Sequence, residues 1–224
     1  MFLLGGLMKI NLDSPFITAG IKATNLLILN LYWFIGCLPI VTIGTSTIAA
    51  FTVTMKMVEN CEEVSMTKSF WDAYRRNLKH GIVLTLILAA ACYSIWIDLQ
   101  LFNKMQGNPI LFLILAVILI VLIILHYLYV FPLEARYENK LTTTFTNARK
   151  IFFRFFLRTL GLIGILVLQF FLFTQINLFL LYAGLFFAPI LAIYTVSQIA
   201  MPIFRKLEKD SLSNDGFTIT GGQD

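Results

Sequence analysis

The chain has 224 residues, 58% of them hydrophobic and 13% charged, with a net charge of +5. Soluble domains carry about a quarter of charged residues, so this composition excludes a water-soluble globule and points to an integral membrane protein. The basic residues lie between apolar runs rather than on a polar domain, which favours the lipid bilayer as partner and excludes nucleic acid.

The first segment, "MFLLGGLMK", lacks the basic stretch that opens a cleaved signal peptide, and Met8 is a second candidate start. Residues 23–55 then run without a charge, far beyond the roughly 20 residues that one helical crossing needs. The run divides into a first span, from Pro15 or Ile21 to Leu38, and a second over 42–58. The break lies in "NLYWFIGCLPIVTIGTSTIAAF": Pro39 has no backbone donor and disfavours helix at Leu38, and Gly44 permits close approach. Ser46, Ala50 and Thr54 recur every fourth residue, so the stretch reads as a tight hairpin with a packing seam rather than a ligand loop.

Next comes "SMTKSFWDAYRRNLKHG", with Phe70, Tyr74 and Leu78 on one helical face and Lys68, Asp72, Arg75 and Lys79 on others. It predicts a surface helix leading into a third span over 80–102. A fourth span covers 108–131. A second basic amphipathic helix follows in "KLTTTFTNARKIFFRFFLR", where Leu141, Phe145, Ala148, Phe152 and Phe155 share a face. The fifth and sixth spans cover 157–175 and 184–204. Residues 208–224 are polar and are expected to form a disordered tail beyond a single transmembrane domain of residues 1–207.

Nothing alternates as a barrel strand would. The expected fold class is therefore all-α: a polytopic membrane protein of six transmembrane helices, arranged as three helical hairpins, with two cytoplasmic amphipathic helices. Cytoplasmic loops carry an excess of Lys and Arg, and six crossings place every basic residue except Lys104 on one side. Both termini are then cytoplasmic, with Pro39 at the outer end of the first hairpin. An offset of 75 residues relates the two amphipathic helices, Phe70–Ala73 to Phe145–Ala148. The same spacing separates the helix ends at Lys56, Phe131 and Lys206, which suggests three hairpins in parallel orientation.

Candidate chemistry is sparse. His126, Asp98 and His80 are the ionisable residues in or beside spans, and no two have metal-ligand or acid–base spacing. Cys37, Cys61 and Cys92 have neither redox nor zinc spacing. Catalytic, cofactor-binding and metal-ligating residues are all read as none. Asn25, Asn30, Gln169, Gln175, Asn177 and Gln198 are expected to bond between helices. Glu134 and Arg136 are expected to pair with each other after Pro132.

The blocks "LLILNLYWFIGCLPIVTIGTSTIAAF" and "FWDAYRRNLKHG" resemble the YesL family of bacterial membrane proteins, whose function is unknown. "LYVFPLEARYENKLTTTFTNARKIFFRFFLRTL" and "APILAIY" fit its later parts. The signature positions are Asn30, Pro39, Thr42, Gly44, Phe70, Asn77, Pro132 and Arg136. The resemblance implies a multi-pass protein of the bacterial cytoplasmic membrane and carries over no catalytic residue. Family members are often encoded near carbohydrate ABC transporters, which makes a non-enzymatic accessory or regulatory component associated with carbohydrate uptake the expected function, with an ABC sugar permease or another membrane protein as partner. The alternative is a small autonomous transporter or channel.

Overall fold

The computed structural model describes residues 15–59, 65–104, 110–175 and 178–212. Every regular element among these residues is helical. The start at Met1 or Met8, Cys61 and the end of the tail lie outside the described residues.

Helix α1 (Pro15–Gly36) ends where Pro39 withholds a donor. A short 3₁₀ turn (Ile40–Thr42) leads directly into α2 (Ile43–Val58). Then follow α3 (Met66–Arg76), α4 (Leu78–Lys104) and α5 (Ile110–Leu125). A π-helical segment (His126–Val130) joins α5 to α6 (Phe131–Arg136), and α7 (Leu141–Arg154), α8 (Phe156–Gln175) and α9 (Leu178–Leu212) complete the order. Helix α9 continues to Leu212, into the segment that the sequence reading assigned to the disordered tail.

Five helical stretches are long and apolar enough to cross a membrane: Ile40–Val58, Leu78–Leu101, Phe112–Arg136, Phe156–Thr174 and Phe186–Lys209. Lys22, Asn25 and Asn30 dilute α1, which is not among them. The five differ sharply in surroundings. The α2 stretch is 72% buried inside the protein, against 17% for α4 and 11% for α8, so protein encloses α2 while α4 and α8 leave theirs to lipid.

Every residue of α2 from Gly44 to Met55 is buried. This helix is rich in hydroxyls, and it satisfies them locally: Thr47, Thr52 and Thr54 donate to the carbonyls of Ile43, Ile48 and Ala50, four residues back. Its apolar side chains Ile48, Phe51 and Val53 join Phe70, Leu84, Tyr129, Ile193 and Val196 in one core. Thr54 and Ser197 share a hydrogen bond of 2.7 Å that links α2 to α9.

The path of α3 departs from the expected hairpin stack. Lys56 Nζ, near the end of α2, donates to Ser69 Oγ at 3.3 Å, and Tyr74 Oη donates to the carbonyl of Gly36, the last residue of α1, at 3.2 Å. Helix α3 thus returns alongside α2 and delivers α4 to the start of α2. There Gly44 N donates to Thr85 Oγ1 at 2.8 Å, and a methyl group on Gly44 would strike the Gly81 carbonyl. The six-crossing count sets Gly44 and Gly81 at opposite ends of their spans and so gives no expectation of this contact.

Helix α7 is also rotated from expectation. Its inward side chains are Thr144, Asn147, Ala148 and Ile151, with Phe145 and Phe152 only half-buried. Thr144 turns inward because it meets the buried Glu134 carboxylate.

Candidate functional site

Charged and polar side chains gather where α2, α6 and α9 end. Pro132, the second residue of α6, offers no N–H to a carbonyl one turn back. The preceding turn is π-helical, and the N–H of Phe131 reaches the carbonyl of His126, five residues back. All of α6 up to Ala135 is buried.

Glu134 and Arg136 do not pair, contrary to the sequence reading. Two residues apart on a helix, they point to nearly opposite sides. The Glu134 side chain is only 2% exposed and takes two partners. His80 Nδ1 lies 2.9 Å from Oε2, and Thr144 Oγ1 donates to Oε1 at 2.5 Å. Glu134 therefore fastens the start of α4 and the first turns of α7 to α6. On the other side, Arg136 donates through Nε to Glu208 Oε1 at 2.9 Å and through Nη1 to Glu59 Oε1 at 3.0 Å. Tyr137 Oη also donates to Glu208, at 2.6 Å, and Arg205 stands 3.8 Å from Glu59. Burial, together with that carboxylate, holds the Tyr137 phenol above its usual range. One guanidinium thus ties the ends of three helices together.

The other signature positions lie elsewhere. Thr42 donates to the carbonyls of Gly36 and Pro39 at 2.8 and 2.7 Å, which closes the α1–α2 turn. Asn77 donates to the carbonyl of Ala73 and finishes α3. Phe70 is fully buried among the rings of Tyr32, Trp71 and Tyr74. Asn30 Nδ2 donates to the Phe186 carbonyl at 3.0 Å, an interhelical bond of the kind expected for the buried amides.

Among the described residues, the buried polar atoms Asn30 Oδ1, Asp98 Oδ2 and His126 Nε2 have no hydrogen-bond partner. His126 lies against the backbone of Leu84, and Asp98 is about 20 Å further along α4, so the two do not form an acid–base pair. Among the described residues no group of three His, Cys, Asp or Glu side chains converges as a metal site would require. A cavity of about 240 Å³ lies between α2 and α3, lined by Thr52, Lys56, Lys68, Ser69, Asp72 and Arg76 among others. Of its cations, Lys56 donates to Ser69 and Arg76 pairs with Glu138 at 3.4 Å. Apolar clefts of about 400 and 480 Å³ flank α8, the first against residues 123–128 and the second against α9.

The sequence reading missed Glu59, Glu208, Thr144 and the pairing of His80. A signal was present: the 75-residue offset that aligns Lys56, Phe131 and Lys206 also carries Glu59 onto Glu134 and, one residue short, onto Glu208.

These features define an all-helical membrane protein whose ionic groups hold helix ends together. Residues 26–99 match the model of a family described as "Protein of unknown function, DUF624". The match covers less than half of the chain, running from within α1 to within α4. It includes Asn30, Pro39, Thr42, Gly44, Phe70 and Asn77 but neither Pro132 nor Arg136. No curated protein and no solved structure matches the chain.

Proposed function

We propose that the protein is a non-enzymatic component of a bacterial cytoplasmic membrane, with both termini in the cytoplasm, that acts by binding another membrane protein. The observation that supports this reading is a division of labour among its charges. Glu59, Glu134, Arg136 and Glu208 are engaged within the fold, whereas Lys68, Arg75 and Lys79 on the outer side of α3 and at the start of α4 stand exposed, beside an exposed Arg76 that pairs with Glu138 at 3.4 Å. Such a basic surface beside a membrane suits an acidic cytoplasmic segment of a partner. An ABC sugar permease is the partner that the resemblance to the YesL family favours. Replacing Arg75 and Arg76 by Glu is expected to abolish copurification of the permease from crosslinked membranes while the protein still inserts; unchanged recovery of the permease would refute this contact.

A second reading, an autonomous transporter or channel, draws on the unpartnered atoms of Asn30, Asp98 and His126 inside apolar helices. It requires solute flux by the purified protein in liposomes, and Asn30→Leu should reduce that flux.

A further inference from the structure

The two amphipathic helices turn different outer faces to their surroundings. On α3 the exposed residues include Lys68, Asp72, Arg75 and Arg76, while Trp71 and Tyr74 are half-buried, so that face is charged in both signs and exposes no large apolar side chain. On α7 the exposed face is formed by Thr142, Thr146, Arg149, Lys150, Phe153 and Arg154. Phe153 is 70% exposed, one turn after Arg149 and next to Arg154. The core lies on the opposite face, at Thr144, Asn147, Ala148 and Ile151, so this phenyl ring has no protein to pack against.

The charge of this region is one-sided. No acidic residue occurs between Glu138 and Glu208, a stretch that contains Lys140, Arg149, Lys150, Arg154 and Arg158. At the break between α7 and α8 the guanidinium groups of Arg154 and Arg158 lie over the Phe155 ring, 5.9 and 5.7 Å from its centre, which gathers both cations at one point. Apolar surface begins at once beyond it: Phe156 is 51% exposed, Leu157 81% and Leu160 57%. These residues open the stretch Phe156–Thr174, which is long and apolar enough to cross a membrane and is only 11% buried inside the protein. Arg149, Lys150, Arg154 and Arg158 thus lie within about two turns of the point where the chain meets hydrocarbon.

We infer that the outer face of α7 binds the headgroups of anionic phospholipids. Guanidinium groups suit phosphate because they donate hydrogen bonds in pairs, and a basic segment at the edge of a crossing gathers anionic lipid by charge. Arg149 and Arg158, with Lys150 and Arg154 between them, supply the cations. Phe153 enters below the headgroups, beside the acyl chains that surround Leu157. Lipid rather than protein fits this face, because its exposed apolar residues run on from Phe153 into the exposed side of α8. The α3 face, with Asp72 and with Arg76 paired to Glu138, has neither the one-sided charge nor the apolar residues.

The test is fluorescence quenching by lipids of chosen charge. The full chain carrying Phe153→Trp is reconstituted into vesicles that contain phosphatidylcholine and phosphatidylglycerol in equal proportion, with the acyl chains of either one or the other brominated. The parent protein, with its three native tryptophans, gives the baseline that is subtracted. The expected result is that brominated phosphatidylglycerol quenches the added emission about twofold more than brominated phosphatidylcholine, and that Arg149→Gln with Arg158→Gln in the same chain removes the difference. Equal quenching by the two lipids in Phe153→Trp itself would overturn the inference. So would the absence of quenching by either lipid, which would leave this face to a protein, and so would a preference that survives the loss of both arginines. Leu157→Trp is a second reporter should Phe153→Trp fold poorly, with the same outcomes.

Discussion

Gly81→Val is expected to be the most damaging single substitution in the chain. The Cβ of any larger residue there would lie 2.5 Å from the backbone N and Cα of Thr45, atoms held in the middle of the buried α2 contact. Neither helix can move aside without breaking the Gly44–Thr85 hydrogen bond or the Thr45–Leu78 contact. Overpacking of this kind costs about 3 kcal/mol when the neighbour is backbone. The thermal midpoint of the detergent-solubilised protein should fall steeply, with loss of the monodisperse peak on size exclusion. Gly161→Val is the control, because a Cβ at Gly161 on α8 meets nothing within 4 Å. An unchanged midpoint for Gly81→Val would mean that α4 does not start against α2.

Arg136→Met should have the next largest effect. It preserves the bulk of the side chain and leaves the Glu59 and Glu208 carboxylates without their shared counter-charge. Removing one partner from a fully buried ion pair costs about 3–5 kcal/mol; here the groups are 21–36% exposed, and solvent lowers the expected cost to about 2 kcal/mol. The sign with pH is distinctive. In Arg136→Met the two carboxylates lose that guanidinium, and Arg205, 3.8 Å from Glu59, is left as the neighbouring cation. A neutral carboxyl does not need the missing counter-charge, so the gap between parent and variant should narrow towards acid pH. Combining Arg136→Met with Glu59→Gln and Glu208→Gln should recover most of the loss at neutral pH. A variant as stable as the parent at neutral pH would show that the cluster does not hold the three helices together.

The helices themselves were legible in the sequence, because uninterrupted apolar runs and the proline at position 39 leave few alternatives. Their arrangement was not. The distribution of Lys and Arg reports only the parity of crossings between basic segments and says nothing of which helices touch. The contact between Gly44 and Gly81 joins residues 37 positions apart that nothing local connects. The polar cluster was half visible. Pro132 and Arg136 stood out, but the pairing of Glu134 with Arg136 failed on helical geometry, and the partners of Arg136 come from two distant helix ends.

The enclosure of α2 also dictates when the protein can become itself. Of the surfaces that cover this helix, only α1 precedes it in the chain; α3, α4, α6 and α9 are made later. The bond between Thr54 and Ser197 closes a loop that includes most of the protein, and Glu59 must wait for Arg136 and Arg205. During synthesis, then, a hydroxyl-rich helix stays partly uncovered until α9 emerges, and its enclosure is completed late rather than by the sequential stacking of finished hairpins. A chain cut short before α9 should therefore be degraded as a whole instead of leaving a folded N-terminal fragment.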